Sequence, residues 1–229
     1  MISRKQTPLP LPIWPGGDRY PRRGVWRGSG LVPPVRLRTT ARLRPGLAEV
    51  GQPPLQLLLS VTQAASAALK LHPRLNFFNF DGRMRWAGPG QRVAVVMENQ
   101  DLTCDMVVVR EAHEMGRADL AEALLQRDGQ PPQGLANRLR QTFPAACFRL
   151  ERWTRYWDRQ VMRHSAPVFI SMLGLPGIEE VSFTPTTSLA LYPGWPQEGR
   201  LPLTLCFSHQ YGNARPLGRF LLTVRDLLE

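Results

Sequence analysis

Eight short apolar runs, none longer than nine residues, constrain this chain more than any other feature. They lie at 35–43, 75–80, 83–86, 91–98, 106–110, 168–173, 188–192 and 201–207. Runs of that length suit strands and are too short for buried helices. Between two of them stands Asp81-Gly82, the strongest short hairpin signal. Helical spacing occurs elsewhere. Residues 55–71 are rich in Leu and Ala and stop at His72-Pro73, where the residue before proline is pushed out of the helical region. Residues 116–127 read as an amphipathic helix closed by Asp128-Gly129, and 148–163 as a helix carrying Trp153, Tyr156 and Trp157. Residues 216–228 form a terminal helix with apolar Leu217, Phe220, Leu221, Val224, Leu227 and Leu228 at close to helical spacing. Strands and helices mix without a βαβ rhythm, so an α+β fold is expected, a mixed β-sheet flanked by helices.

The 229 residues are enough for one sizeable core. No apolar run reaches the roughly 18 residues of a membrane span, and the N-terminus has no apolar signal core. A cytoplasmic protein is expected. Net charge is +11, but lysine occurs only at positions 5 and 70, so 27 of the 29 basic residues are arginine. That skew reads as coding bias spread along the chain. Without aromatic residues interleaved in a basic cluster, it argues against nucleic acid as a partner. Cys104, Cys147 and Cys206 are odd in number and more than 40 residues apart, neither a disulfide framework nor a metal spacing. The four histidines form no local ligand pair, and neither a phosphate loop nor a dinucleotide fingerprint is present.

Residues 1–34 form a separate zone, rich in Pro, Gly and Arg, and read as an extended arm preceding a domain at 35–229. Several polar residues have plain structural readings. His72 reads as a helix-end cap and His113 as solvent-facing, while His164 precedes the strand that carries Ser171. Asp101 and Asp105 do not make a carboxylate dyad. The Trp153, Tyr156, Trp157 stripe reads as core, with a roof over an acyl or aromatic pocket as its alternative.

His209 follows the apolar strand at 201–207 and enters a turn before the last helix. A rigid strand aims such a residue, and an unperturbed imidazole titrates near 6.5, which suits general-base work. A hydrogen-bonded structural histidine fits the same residues. The segment from Leu201 to Glu229 resembles the end of the catalytic domain of 2-oxoacid dehydrogenase acyltransferases, whose fold the chloramphenicol acetyltransferases share. That family ends with an apolar strand, the pattern HxxxDG and a helix. Here the pattern reads His209-Gln210-Tyr211-Gly212-Asn213-Ala214. In the right order, 55–80 resembles the family's long helix, hPxhN segment and hairpin, 101–125 a strand and helix that follow, and Phe169-Ile170-Ser171 its TIS strand.

The resemblance implies an acyltransferase. His209 would take the proton of a thiol or hydroxyl acceptor, which attacks an acyl thioester. Ser171 of a neighbouring subunit would stabilise the oxyanion, and Asn213, in place of the motif aspartate, would hold the histidine's loop. It further implies a homotrimer with its active site at the subunit interface, and coenzyme A or a carrier protein as acyl donor. No metal is implied. Neither lysine lies in a lipoyl context, so a free-standing core without lipoate is expected. Asn213 loses the motif's charge, and Ala214 replaces a glycine, a strain of about 1 kcal/mol if that position needs positive φ. A bland role for Asn213 is to cap the last helix. These departures feed a second reading, a catalytically lapsed trimeric scaffold or partner-binding protein on the same fold.

Overall fold

A computed structural model describes residues 34–44, 54–80, 83–98, 104–125, 165–172, 189–208 and 214–229. The elements in chain order are β1 (Pro34–Arg42), α1 (Pro54–Leu71), β2 (Phe77–Phe80), β3 (Arg83–Trp86), β4 (Arg92–Glu98), β5 (Cys104–Arg110), α2 (Arg117–Leu125), β6 (Val168–Ser171), β7 (Leu189–Pro193), β8 (Arg200–Ser208) and α3 (Ala214–Leu228), with short 3-10 turns at Pro73–Leu75 and Ala112–Glu114. Six strands make one mixed sheet in the order β1-β8-β7-β6-β4-β5, while β2 and β3 form a separate hairpin. Strands β6 and β7, and β4 and β6, are parallel; the other neighbours are antiparallel. The expected α+β class and mixed sheet are therefore present.

The sheet's two faces differ because strand side chains alternate. One face carries Val93, Val95, Val109, Val168, Ile170, Leu189, Leu191, Leu201, Leu203, Leu205 and Phe207, all buried in one cluster with α1, α2 and α3. Helix α1 starts on Pro54, where a missing N–H costs nothing, and its chain ends as His72 N–H closes onto the carbonyls of Ala68 (2.9 Å) and Leu69 (3.2 Å). Its alanines at 65 and 68 are fully buried and let the helix lie close. Its buried hydroxyls are satisfied locally, Thr62 Oγ1 donating to the Leu58 carbonyl at 2.7 Å and Ser60 Oγ to that of Gln56 at 3.1 Å. Of the stripe expected on α3, Leu217, Phe220, Leu221, Val224 and Leu228 are buried, while Leu227 is 37% exposed.

The strand expected at 75–80 begins only at Phe77. Pro73 fixes φ and starts a 3-10 turn, closed by Asn76 N–H on the Pro73 carbonyl at 3.2 Å. Asn76 then ties down the segment after the hairpin, its Nδ2 donating to the carbonyls of Gly88 and Gly90 at 3.1 Å each. Both glycines have positive φ (95° and 84°), which an L side chain rarely adopts.

Candidate active site

The second face of the sheet is where Ser171 lies. Strand β6 alternates buried Val168 and Ile170 with half-buried Phe169 and Ser171. Ser171 is paired with Val96 of β4, which is in turn paired with Met106 of β5. On its other side Ser171 is one step past the Ile170–Leu191 pair, level with Tyr192; Tyr192 pairs with Thr204, and Thr204 with Arg38. One row thus crosses all six strands on one face: Met106, Val96, Ser171, Tyr192, Thr204, Arg38. Its β7 and β8 members are closed off, Tyr192 and Thr204 each 4% exposed, with Ala190 and Cys206 beside them at 0%. Its β5 end is open, with Met106 48% exposed. The Ser171 hydroxyl has no hydrogen-bond partner among the described residues.

His209 and Asn213 lie outside the described residues. The elements on either side are described. Strand β8 ends at Ser208, opposite Pro34 of β1, and α3 begins at Ala214, so Asn213 is the residue before the helix. Ala214 occupies a helical position, and the non-glycine residues with positive φ among those described are Glu111 and Glu198. The strain anticipated for alanine in place of the motif glycine is therefore absent: a helical φ accepts alanine.

The register also fixes how far the end of β8 is from Ser171. Ser171 is level with Thr204, four residues before Ser208, and two strand spacings away. At about 3.3 Å per residue and 4.8 Å per strand, the two Cα atoms are about 16 Å apart. His209 is tied to Ser208 by one peptide, a step of about 3.8 Å. That separation, between Ser171 and the last described residue of β8, is what the register of the described strands fixes.

Of the other histidines, His113 differs from expectation. His113 is not solvent-facing: its ring is 11% exposed, and its Nδ1 is 2.9 Å from Ser66 Oγ of α1. It sits on a 3-10 turn whose first flank, Glu111, is left-handed (φ 51°), and this reversal swings the ring inward. Neighbouring Glu114 accepts from Lys70 Nζ at 3.0 Å, which holds its carboxyl below the usual range. His72 ends α1 as expected, through its backbone N–H, and its side chain reaches α3. Its Nε2 is 2.9 Å from Thr223 Oγ1 of α3, and the ring meets Phe220 edge-on at 6.1 Å. Both rings serve helix packing.

A cleft of about 270 Å³ opens on the helix side, lined by Arg44, Ser60, Gln63, His113, Arg117 and the end of α3. Arg117 Nη2 donates to Ser60 Oγ there at 2.8 Å. It lies on the face opposite Ser171. Among the described residues no three His, Cys, Asp or Glu side chains gather as metal ligands, and Cys206 is a buried free thiol. No helix of the described residues is long and apolar enough to cross a membrane. His164, Trp153, Tyr156 and Trp157 lie outside the described residues. Tyr192, Thr204, Val96 and Met106 were not singled out by sequence. Their alternation within each strand is legible, but which strand lies beside β6 is not.

No family model matches the chain, and no curated protein does. Solved structures do. A probable dihydrolipoamide acetyltransferase from Listeria monocytogenes superposes with a TM-score of 0.57 at 13% identity, covering 93% of this chain and 94% of that one. A dihydrolipoamide acetyltransferase from Azotobacter vinelandii, in which a serine, a histidine and an asparagine were investigated for their role in catalysis, gives 0.56 at 20% identity, covering 89% and 84%. A chloramphenicol acetyltransferase gives 0.52 at 16%, covering 86% and 89%. The chain has the acyltransferase fold that these proteins share, the fold its sequence resembles.

Proposed function

We propose that this protein transfers an acyl group from a coenzyme A or carrier-protein thioester to a small thiol or hydroxyl acceptor. His209 takes the acceptor's proton as the acceptor oxygen or sulfur attacks the thioester carbonyl. Ser171 donates a hydrogen bond to the oxyanion of the tetrahedral intermediate. The intermediate collapses, the carbon–sulfur bond to the donor breaks, and the proton held by His209 goes to the departing thiolate. Asn213 steadies the turn that carries the histidine. The observation that carries this reading is the Ser171 hydroxyl, unengaged among the described residues and half-buried on an acyltransferase sheet.

Two further points support it. The Azotobacter enzyme has its asparagine four residues after its histidine, the spacing of His209 and Asn213 here, so asparagine at this place is compatible with transfer. The 16 Å gap within one chain favours a site completed between subunits, as in a homotrimer, with Ser171 from one subunit and His209 from the next.

The test is turnover of an acyl-coenzyme A series with dihydrolipoamide as the thiol acceptor. His209→Ala should abolish transfer. Ser171→Ala should lower kcat about 10²- to 10³-fold, the usual effect of losing one oxyanion donor. A folded oligomer that binds no thioester and turns none over would favour the scaffold reading instead.

A further inference from the structure

The environment of Ser171 is lopsided, and the lopsidedness bears on which acyl group the site accepts. Toward β7 and β8 the row is shut: Tyr192 and Thr204 are buried, and Ala190 and Cys206 behind them have no exposure. Toward β4 and β5 it is open and apolar. Val96 and Val108 are half-buried on the same face, and Met106 beyond Val96 is one of the few large apolar side chains of the described residues left exposed, at 48%. An oxyanion held by Ser171 fixes the acyl carbonyl beside β6. Among the described residues, the open apolar surface on that side runs over Val96 and Val108 to Met106. That path crosses two strand spacings, about 10 Å, which an acetyl group does not fill and a medium-length chain does.

We propose that Val96, Val108 and Met106 floor an acyl subsite, and that the protein prefers medium-length apolar acyl groups to acetyl. This inference rests on the acyl-transfer reading above. Its chemistry is that of any apolar subsite: each methylene laid on Val96 or Met106 leaves water, and the benefit is realised in the transition state when the carbonyl is already anchored. Met106, at the open end, touches only the distal part of the chain and is a specificity residue, while Val96 lies beside the carbonyl.

The experiment compares octanoyl- and acetyl-coenzyme A in kcat/KM, using the full chain with dihydrolipoamide as acceptor. Wild type should favour octanoyl at least about tenfold. Met106→Gln keeps the length of the side chain at an exposed position and should lower the octanoyl-to-acetyl ratio about fivefold. Leu222→Gln, at another exposed apolar residue, on α3, should leave the ratio where it is. A wild-type ratio near one, or a ratio indifferent to Met106→Gln, would overturn the subsite. If neither thioester turns over, the transfer reading fails for coenzyme A donors, separately from the subsite. The ratio of dissociation constants for the two thioesters then decides the subsite: octanoyl bound more tightly, with the advantage reduced by Met106→Gln, sustains it, and equal binding overturns it.

Discussion

The tautomer of His72 follows from counting hydrogens. The Thr223 hydroxyl has one proton and donates it to the Arg219 carbonyl at 2.9 Å. The 2.9 Å contact with His72 must therefore be a bond in which Nε2–H donates to Thr223 Oγ1. Acid adds its proton at Nδ1, next to a half-buried surface and within the field of Arg219. Desolvation first, then that guanidinium, hold the imidazole below its ordinary 6.5. The unfolded chain thus binds the proton more readily than the native one, so stability is full above 6.5 and declines as pH falls from there through the native value. His72→Gln should flatten this slope. Urea midpoints measured at about pH 5 and pH 8 should differ less in the variant than in wild type, and an unchanged difference would assign the slope to other groups.

At the scale of elements, α3 holds the architecture together. It packs on α1, on β1 and on β8, so the last helix joins the second long helix to the edge of the sheet. Phe220 is its fully buried anchor, reached by the His72 ring from the end of α1. Phe220→Ala should cost about 3–5 kcal/mol in a urea titration, whereas a loss below about 1 kcal/mol would mean that the site collapses around the gap. This helix was the most legible element in the sequence, because its stripe alone specifies both period and buried face. The eight strands were legible for a related reason, as short alternating runs. Errors gathered where one residue changes the direction of the chain. Pro73 turned the expected start of β2 into a 3-10 turn, and the left-handed Glu111 carried His113 into the helix layer. Neither effect has a periodicity, so hydrophobic patterning does not report it. Ser171 was singled out through a three-residue resemblance, but its neighbours Tyr192 and Met106 were not, because the order β7-β6-β4-β5 is a property of the sheet and not of any segment.

For the whole molecule, the separation between Ser171 and the end of β8 becomes a statement about assembly. If each site takes Ser171 from one subunit and His209 from another, two inactive variants should complement each other. Co-assembled His209→Ala and Ser171→Ala subunits, mixed evenly, should regain about one quarter of wild-type activity, since one interface in four then pairs the two intact residues. Each variant alone should stay inactive or nearly so. Mixed assemblies no more active than their components would place both residues of a site in one chain.

The pairing of β1 with β8 has a consequence in time. Pro34 lies opposite Ser208, so the first described strand of the sheet bonds to the last described one. During synthesis at roughly 5–20 residues per second, β1 waits on the order of ten to thirty seconds without its partner. An unpaired strand is a template for aggregation, and charged side chains are the usual guard. On β1 the residues left exposed are Arg36, Arg38, Thr40 and Arg42, alternating with the apolar ones that the core later takes. That alternation lets a nascent strand stay solvated until its distant partner arrives, and the helix that follows β8 then closes over it.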